Sequence, residues 1–320
     1  DHRDLHSFPT RRSSDLQNKI QVAMDLERKD PNSAEAAQLR KEAVDILEQS
    51  VPATKERFQK AFEAAKAPVE KLKADLDAGK EPSQSDIRAL MKVIDPLGVS
   101  VQAYCDRVLN IVDACHKNDP RRVSYVQDMN AVSAQFEELS SLFPAFDMYM
   151  GLVSGRATAM LGAKELDKAI EILETRVLGV DAPGGFEKQL QLLAFYHIAR
   201  ISTDYQQYEK AIEYWRNARY SAIADMIETS PLGLTMMLTV SKAYFWRKAE
   251  ADKIDDDRTS FTMLMRVAEN TIPAAKFLKF EAQRVLADLL LNTQEDILLP
   301  TSAYFQAGEG MYALDRKSVV

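Results

Sequence analysis

The octapeptides "LDKAIEIL" (166–173) and "YEKAIEYW" (208–215) share Lys-Ala-Ile-Glu in register, 42 residues apart. A repeat of that period constrains a fold strongly, because one unit cannot bury its apolar face alone and must stack on a neighbour. Each copy is preceded by a helical pattern with a small residue twelve positions before the shared Ala: Ala157 before Ala169, and Ala199 before Ala211. Two helices that cross closely need small residues at the crossing. A larger residue four positions on, Leu173 or Trp215, fills the space beside it. The unit is therefore a helical hairpin. Composition agrees: glycine is sparse, 11 in 320, and helix-favouring Ala, Leu, Glu and Lys are abundant. Apolar residues recur at helical spacing almost everywhere and alternate as in a strand almost nowhere. The expected class is all-α.

These positions carry a resemblance to the tetratricopeptide repeat family. In the second copy Phe195, Ile198, Ala199, Tyr208, Ala211, Trp215 and Ala218 fall on that family's pattern of large and small residues. In the first copy Val153, Ala157, Met160, Leu166, Ala169 and Leu173 fit, whereas Arg156 and Arg176 stand at positions usually apolar or small. The extra residues relative to the family period are assigned to a loop near "GVDAPGG". A third, divergent hairpin places Phe245 and Ala249 on its first helix and Met265, Ala268 and Pro273 on its second. The resemblance implies an α-solenoid of stacked antiparallel hairpins over 144–314, preceded by a less regular helical region over 17–143.

In that first region Asn32 and Ser33 are cap candidates for a helix carrying Ala36, Leu39, Ala43, Ile46 and Leu47 on one stripe. Phe58, Phe62, Ala65, Val69, Leu72 and Leu76 follow in alternating steps of four and three. Pro68 predicts a kink or break in that helix, and Gly79 its end. Ser85 and Asp86 are expected to cap "IRALMKVI", after which "DPLG" predicts a turn before a helix from Ser100 to His116. Pro120 suits the first turn of the next helix, and Pro144 breaks it. His116 is expected to cap the carbonyls that end its helix.

The two ends read differently. "DHRDLHSFPTRRSSDL" (1–16) has no apolar period, and it resembles a translated sequencing-library adapter. "DRKSVV" (315–320) resembles the same adapter in reverse complement. Both are expected to lie outside the fold and to lack structure, leaving Gln17 to about Leu314 as the native segment and a signal peptide unobservable.

A net charge of −7 argues against non-specific nucleic-acid binding, which needs a basic surface. The longest apolar run, near residues 232–240, is too short to span a bilayer. Cys105 and Cys115 would lie about 15 Å apart on one helix, beyond disulfide reach. Buried free thiols fit a reducing compartment. No catalytic constellation, phosphate-cradling glycine loop or metal-ligand spacing stands out, so no catalytic residue, cofactor or metal is assigned. "DKIDDDR" (252–258) is read as a solvated acidic loop. The leading expectation is a non-catalytic interaction module that binds a partner protein or peptide. The resemblance places the contacts on the outward turns of the first helix, at Leu193, Tyr196, Arg200, Thr203 and Asp204. The corresponding first-copy positions are Gly151, Ser154, Thr158, Leu161 and Gly162. The competing expectation is an accessory helical domain of an enzyme or larger assembly whose catalytic part lies outside this chain.

Overall fold

The computed structural model describes residues 10–292 apart from 31, 82, 117, 137–141 and 248–252. Among these residues there are twelve α-helices and no strand: α1 (Thr10–Lys29), α2 (Ala34–Glu48), α3 (Val51–Asp77), α4 (Gln84–Ala114), α5 (Pro120–Gln135), α6 (Pro144–Ala159), α7 (Leu166–Leu173), α8 (Gly185–Asp204), α9 (Tyr208–Arg219), α10 (Pro231–Trp246), α11 (Lys253–Ala268) and α12 (Lys276–Asn292). The chain is all-α, as its apolar periodicity predicts. Residues 1–9 and 293–320, including the expected terminal segment 315–320, lie outside the described residues. Thr10–Leu16, expected to be without structure, continue α1. Once the apolar turns further along α1 are docked, each preceding residue adds a backbone hydrogen bond without needing a contact of its own.

Contacts divide the chain into two compact units, Asp1–Ala169 and Ile170–Val320. The divide falls inside α7 rather than at Pro144, where the sequence changes character. The reason is packing: α6 lies on α4 and α5, and its Met150, Val153 and Ala157 join the core that α2–α5 build.

The first unit is centred on α3 and α4. Phe58 of α3 stacks on Tyr104 of α4, with ring centroids 5.8 Å apart. Phe136 and Phe62 complete the aromatic cluster. The fully buried Tyr104 donates its hydroxyl to Asp128 Oδ2 at 3.0 Å, so the polar end of the ring has a partner. Both long helices run through a proline. Pro68 does not end α3, and Pro96 does not turn the chain but lies within α4. Each proline removes one backbone hydrogen bond. Burial of Ile94, Leu97 and Val101 around Pro96, and of Ala65 and Val69 beside Pro68, offsets that loss. Gly79, in the left-handed region at φ 70°, ends α3 as predicted. Ser33, one of the two cap candidates of α2, accepts the Ala36 amide at Oγ, whereas α4 is capped two residues before the expected Ser85, by Ser83 Oγ accepting from the Asp86 amide. Arg40, 9% exposed, forms a bidentate pair with Glu27 at 2.6 and 2.8 Å and donates to the last carbonyls of α4, at Asp113 and Ala114. One guanidinium thus ties α1, α2 and the end of α4 together.

In the second unit α8 packs on α9 and α10, α9 on α10, α10 on α11 and α12, and α11 on α12. Ala199, Ala211 and Ala218 are fully buried and Trp215 is buried with them, matching the predicted small and large positions of this hairpin. Between α10 and α11, Ser260 Oγ donates to the Ser241 carbonyl, both residues fully buried. Arg247, just after α10, holds Asp256 in the first turn of α11 through two hydrogen bonds of 2.7 and 2.5 Å. Asp256 is 5% exposed. The "DKIDDDR" stretch is therefore not a solvated loop over its described residues: it starts a helix, and one of its carboxylates is buried because an arginine meets it. Ala249, expected on the first helix of this hairpin, lies outside the described residues, whereas Ala268 is buried and Pro273 opens the turn before α12.

Candidate functional site

Helix α8 buries more than half its circumference, since α9 and α10 cover it on two sides. The remaining stripe follows steps of three and four residues: Leu193 and Tyr196 are half-buried, Arg200 and Asp204 exposed. Four of the five predicted contact residues therefore share one face. Thr203 does not join them. It is buried, and its hydroxyl donates to the Ala199 carbonyl at 2.8 Å. Position 203 is one residue off the exposed stripe, about 100° round the helix. Arg200 and Asp204 form an i,i+4 pair at 3.7 Å with both side chains about half exposed, a contact worth a few tenths of a kcal/mol. On α10, Lys242 binds Glu281 of α12 at 2.9 Å, and Arg284 of α12 binds Glu281 and Asp288 at 2.8 and 3.3 Å. The exposed stripe of α8 is thereby one of three neighbouring charged helix surfaces in this unit.

The corresponding first-copy positions differ. Gly151, Ser154 and Thr158 are buried in the first unit, and Ser154 donates its hydroxyl to the Asn130 amide oxygen of α5. Leu161 and Gly162 are half-buried in the turn that follows α6. The small neutral residues there serve close packing.

Among the groups with latent chemistry, burial pushes the Cys105 thiol up to about 12 and the Cys115 thiol up to about 11. Neither ionises near neutral pH, so neither is a nucleophile in the folded chain. His197 is buried against Tyr196, with ring centroids 5.4 Å apart. His116 follows the end of α4 but accepts the Asn118 amide at Nδ1, 3.3 Å away, instead of capping carbonyls. Among the described residues no three His, Cys, Asp or Glu side chains are placed to hold a metal ion, and no helix is long and apolar enough to cross a membrane.

A further cleft lies elsewhere in the second unit. It has a volume of about 850 Å³ and is walled by the end of α9, the 220–230 connection, α10 and α11. Four arginines line it: Arg216, Arg219, Arg258 and Arg266. The spacing within each helix was legible, since Arg216 and Arg219 are one turn apart and Arg258, Thr262 and Arg266 share a face. That the two faces meet depends on how α9 and α11 flank α10, which sequence spacing does not encode. No family model matches the chain, no curated protein matches it in sequence, and no solved structure matches it.

Proposed function

We propose that this chain is a non-catalytic interaction module, built of tetratricopeptide-like hairpins, that holds an extended or helical segment of a partner protein. The observation that carries the reading is the outward stripe of α8. Leu193 and Tyr196 offer apolar and aromatic surface, Arg200 and Asp204 offer charge of both signs, and between residues 190 and 203 the opposite face of the helix is buried. An aromatic anchor beside an arginine is the residue combination that dominates protein interfaces. The packing of α8 on α9 and α10, and of α10 on α11 and α12, supports the hairpin reading, as do the buried Ala199, Ala211 and Trp215.

The test begins with capture of a partner on the immobilised full chain and its purification. Titration then compares the parent with Tyr196→Ala and Arg200→Ala. Each variant is expected to weaken binding by about 1 kcal/mol or more, roughly fivefold. Unchanged affinity at both positions, with helicity and melting intact, would move the contact surface off α8.

A further inference from the structure

The α9–α11 cleft is a locally basic site on a chain of net charge −7. Of its four arginines, Arg266 is engaged by Glu228 at 2.5 Å. Arg216, Arg219 and Arg258 are exposed, and among the described residues no carboxylate pairs with any of them. Arg216 and Arg219 belong to α9 and Arg258 to α11, and all three line the same cleft. The floor has another character. Trp215, Met237, Tyr244 and Met263 are all buried there, an aromatic and thioether surface that moulds to varied apolar side chains. At the rim Tyr220 is 89% exposed, more than any other large apolar or aromatic residue described. A large exposed side chain at the mouth of a cleft gains from being covered.

We infer that this cleft binds a short acidic segment of a partner protein, seating one apolar side chain on the floor and flanking carboxylates on Arg216, Arg219 and Arg258. The guanidinium fork matches a carboxylate in two parallel hydrogen bonds, so three of them select for closely spaced acidic residues. The volume suits a few residues of extended chain. Asp225 and Glu228 also line the cleft. They can accept the N–H groups of a peptide backbone, donors that a phosphodiester backbone lacks, which sets a peptide ahead of a nucleic acid. None of the outward residues of α8 lines this cleft. The site is therefore separate from the surface proposed above, and its test stands whether or not that proposal holds.

Fluorescence polarisation with the full chain reads this directly. The probe is a labelled peptide, Glu-Glu-Leu-Glu-Glu-Leu-Glu, with an all-Gln analogue in place of Glu, a twelve-residue oligothymidylate, and inorganic phosphate as competitor at matched ionic strength. Saturable binding of the acidic peptide is expected, about tenfold weaker for the Gln analogue and weakening steeply with salt. Arg216→Gln and Arg258→Gln should each lower affinity about fivefold. Lys279→Gln on α12, an exposed cation outside both surfaces, should leave it unchanged. All three side chains are exposed, so circular dichroism is expected to show an intact fold in each variant. The inference is overturned if the acidic peptide fails to saturate, or if the Gln analogue binds equally well. It is also overturned if Arg216→Gln and Arg258→Gln bind like the parent. Tighter binding of oligothymidylate would make the site one for nucleic acid, and selective displacement by phosphate would make it one for a small anion. Either result also overturns it.

Discussion

Gly233 lies in the first turn of α10, where an added Cβ would stand 2.2 Å from the carbonyl oxygen of Ile227. Its amide donates to Ser230 Oγ at 3.1 Å, so cap and close approach fall on the same residue. Backbone, unlike a side-chain tip, cannot swing away. Gly233→Ala is expected to destabilise by about 1–3 kcal/mol or more through overpacking, read by chemical denaturation. A neutral effect would mean that the 227–233 turn relaxes freely. Gln191 illustrates the opposite case, a polar side chain buried because it is useful. Its amide donates to the carbonyls of Val177 and Val180, closing the end of the π-helical turn Glu174–Leu178 onto α8. The "GVDAPGG" stretch, read from sequence as a loop, is thus pinned at its start by a glutamine that the repeat pattern did not single out.

Among elements, the contact between α10 and α12 is marked by charge. Arg284 and Lys242 bond the Glu281 carboxylate from two sides and hold it down near 2, against an ordinary value of 4.5. A carboxylate lowered on folding adds stability that is complete above about pH 4.5 and is lost as pH falls from there toward 2. Glu281→Gln should therefore flatten the acid limb of a stability-versus-pH curve in that window and cost little of its slope above pH 5. Urea midpoints measured between pH 2 and 7 decide this, and an unchanged acid limb would show the pair to be solvent-screened. Helices α3 and α4 make a second point at this scale. Pro68, expected to kink or break α3, does not end it, and Pro96, expected in a turn, does not end α4, because both helices are long and their flanking turns are buried against each other. Local propensity yields to tertiary packing where many apolar residues lie on either side of one lost hydrogen bond.

For the whole molecule, two compact units with separate internal cores imply separate responses to core damage. Phe58, 1% exposed, anchors the aromatic cluster of the first, and Trp215, 5% exposed, the α8–α9 hairpin of the second. Phe58→Ala and Trp215→Ala should each cost about 3–5 kcal/mol. Native-state hydrogen exchange should locate the losses: Trp215→Ala speeding exchange over α8–α12 and sparing α3 and α4, Phe58→Ala the reverse. Uniform loss across all helices in either variant would show one cooperative body.

The sequence by itself determined the class, the positions of most helices and the small and large residues of the 185–219 hairpin. Those follow from a period of 3.6 residues and from steric limits at a crossing, both local. It also marked the α8 stripe to within one residue, missing only that Thr203 turns inward. Tertiary structure alone decided where the units divide, because α6 could join either core by its pattern and joins α4 and α5. It decided that Asp256 is buried, because Arg247 lies nine residues away in sequence and only the packing of α11 on α10 brings them together. And it assembled the arginine cleft. Each helix face was readable, but a site made of two faces exists only once α9, α10 and α11 are packed.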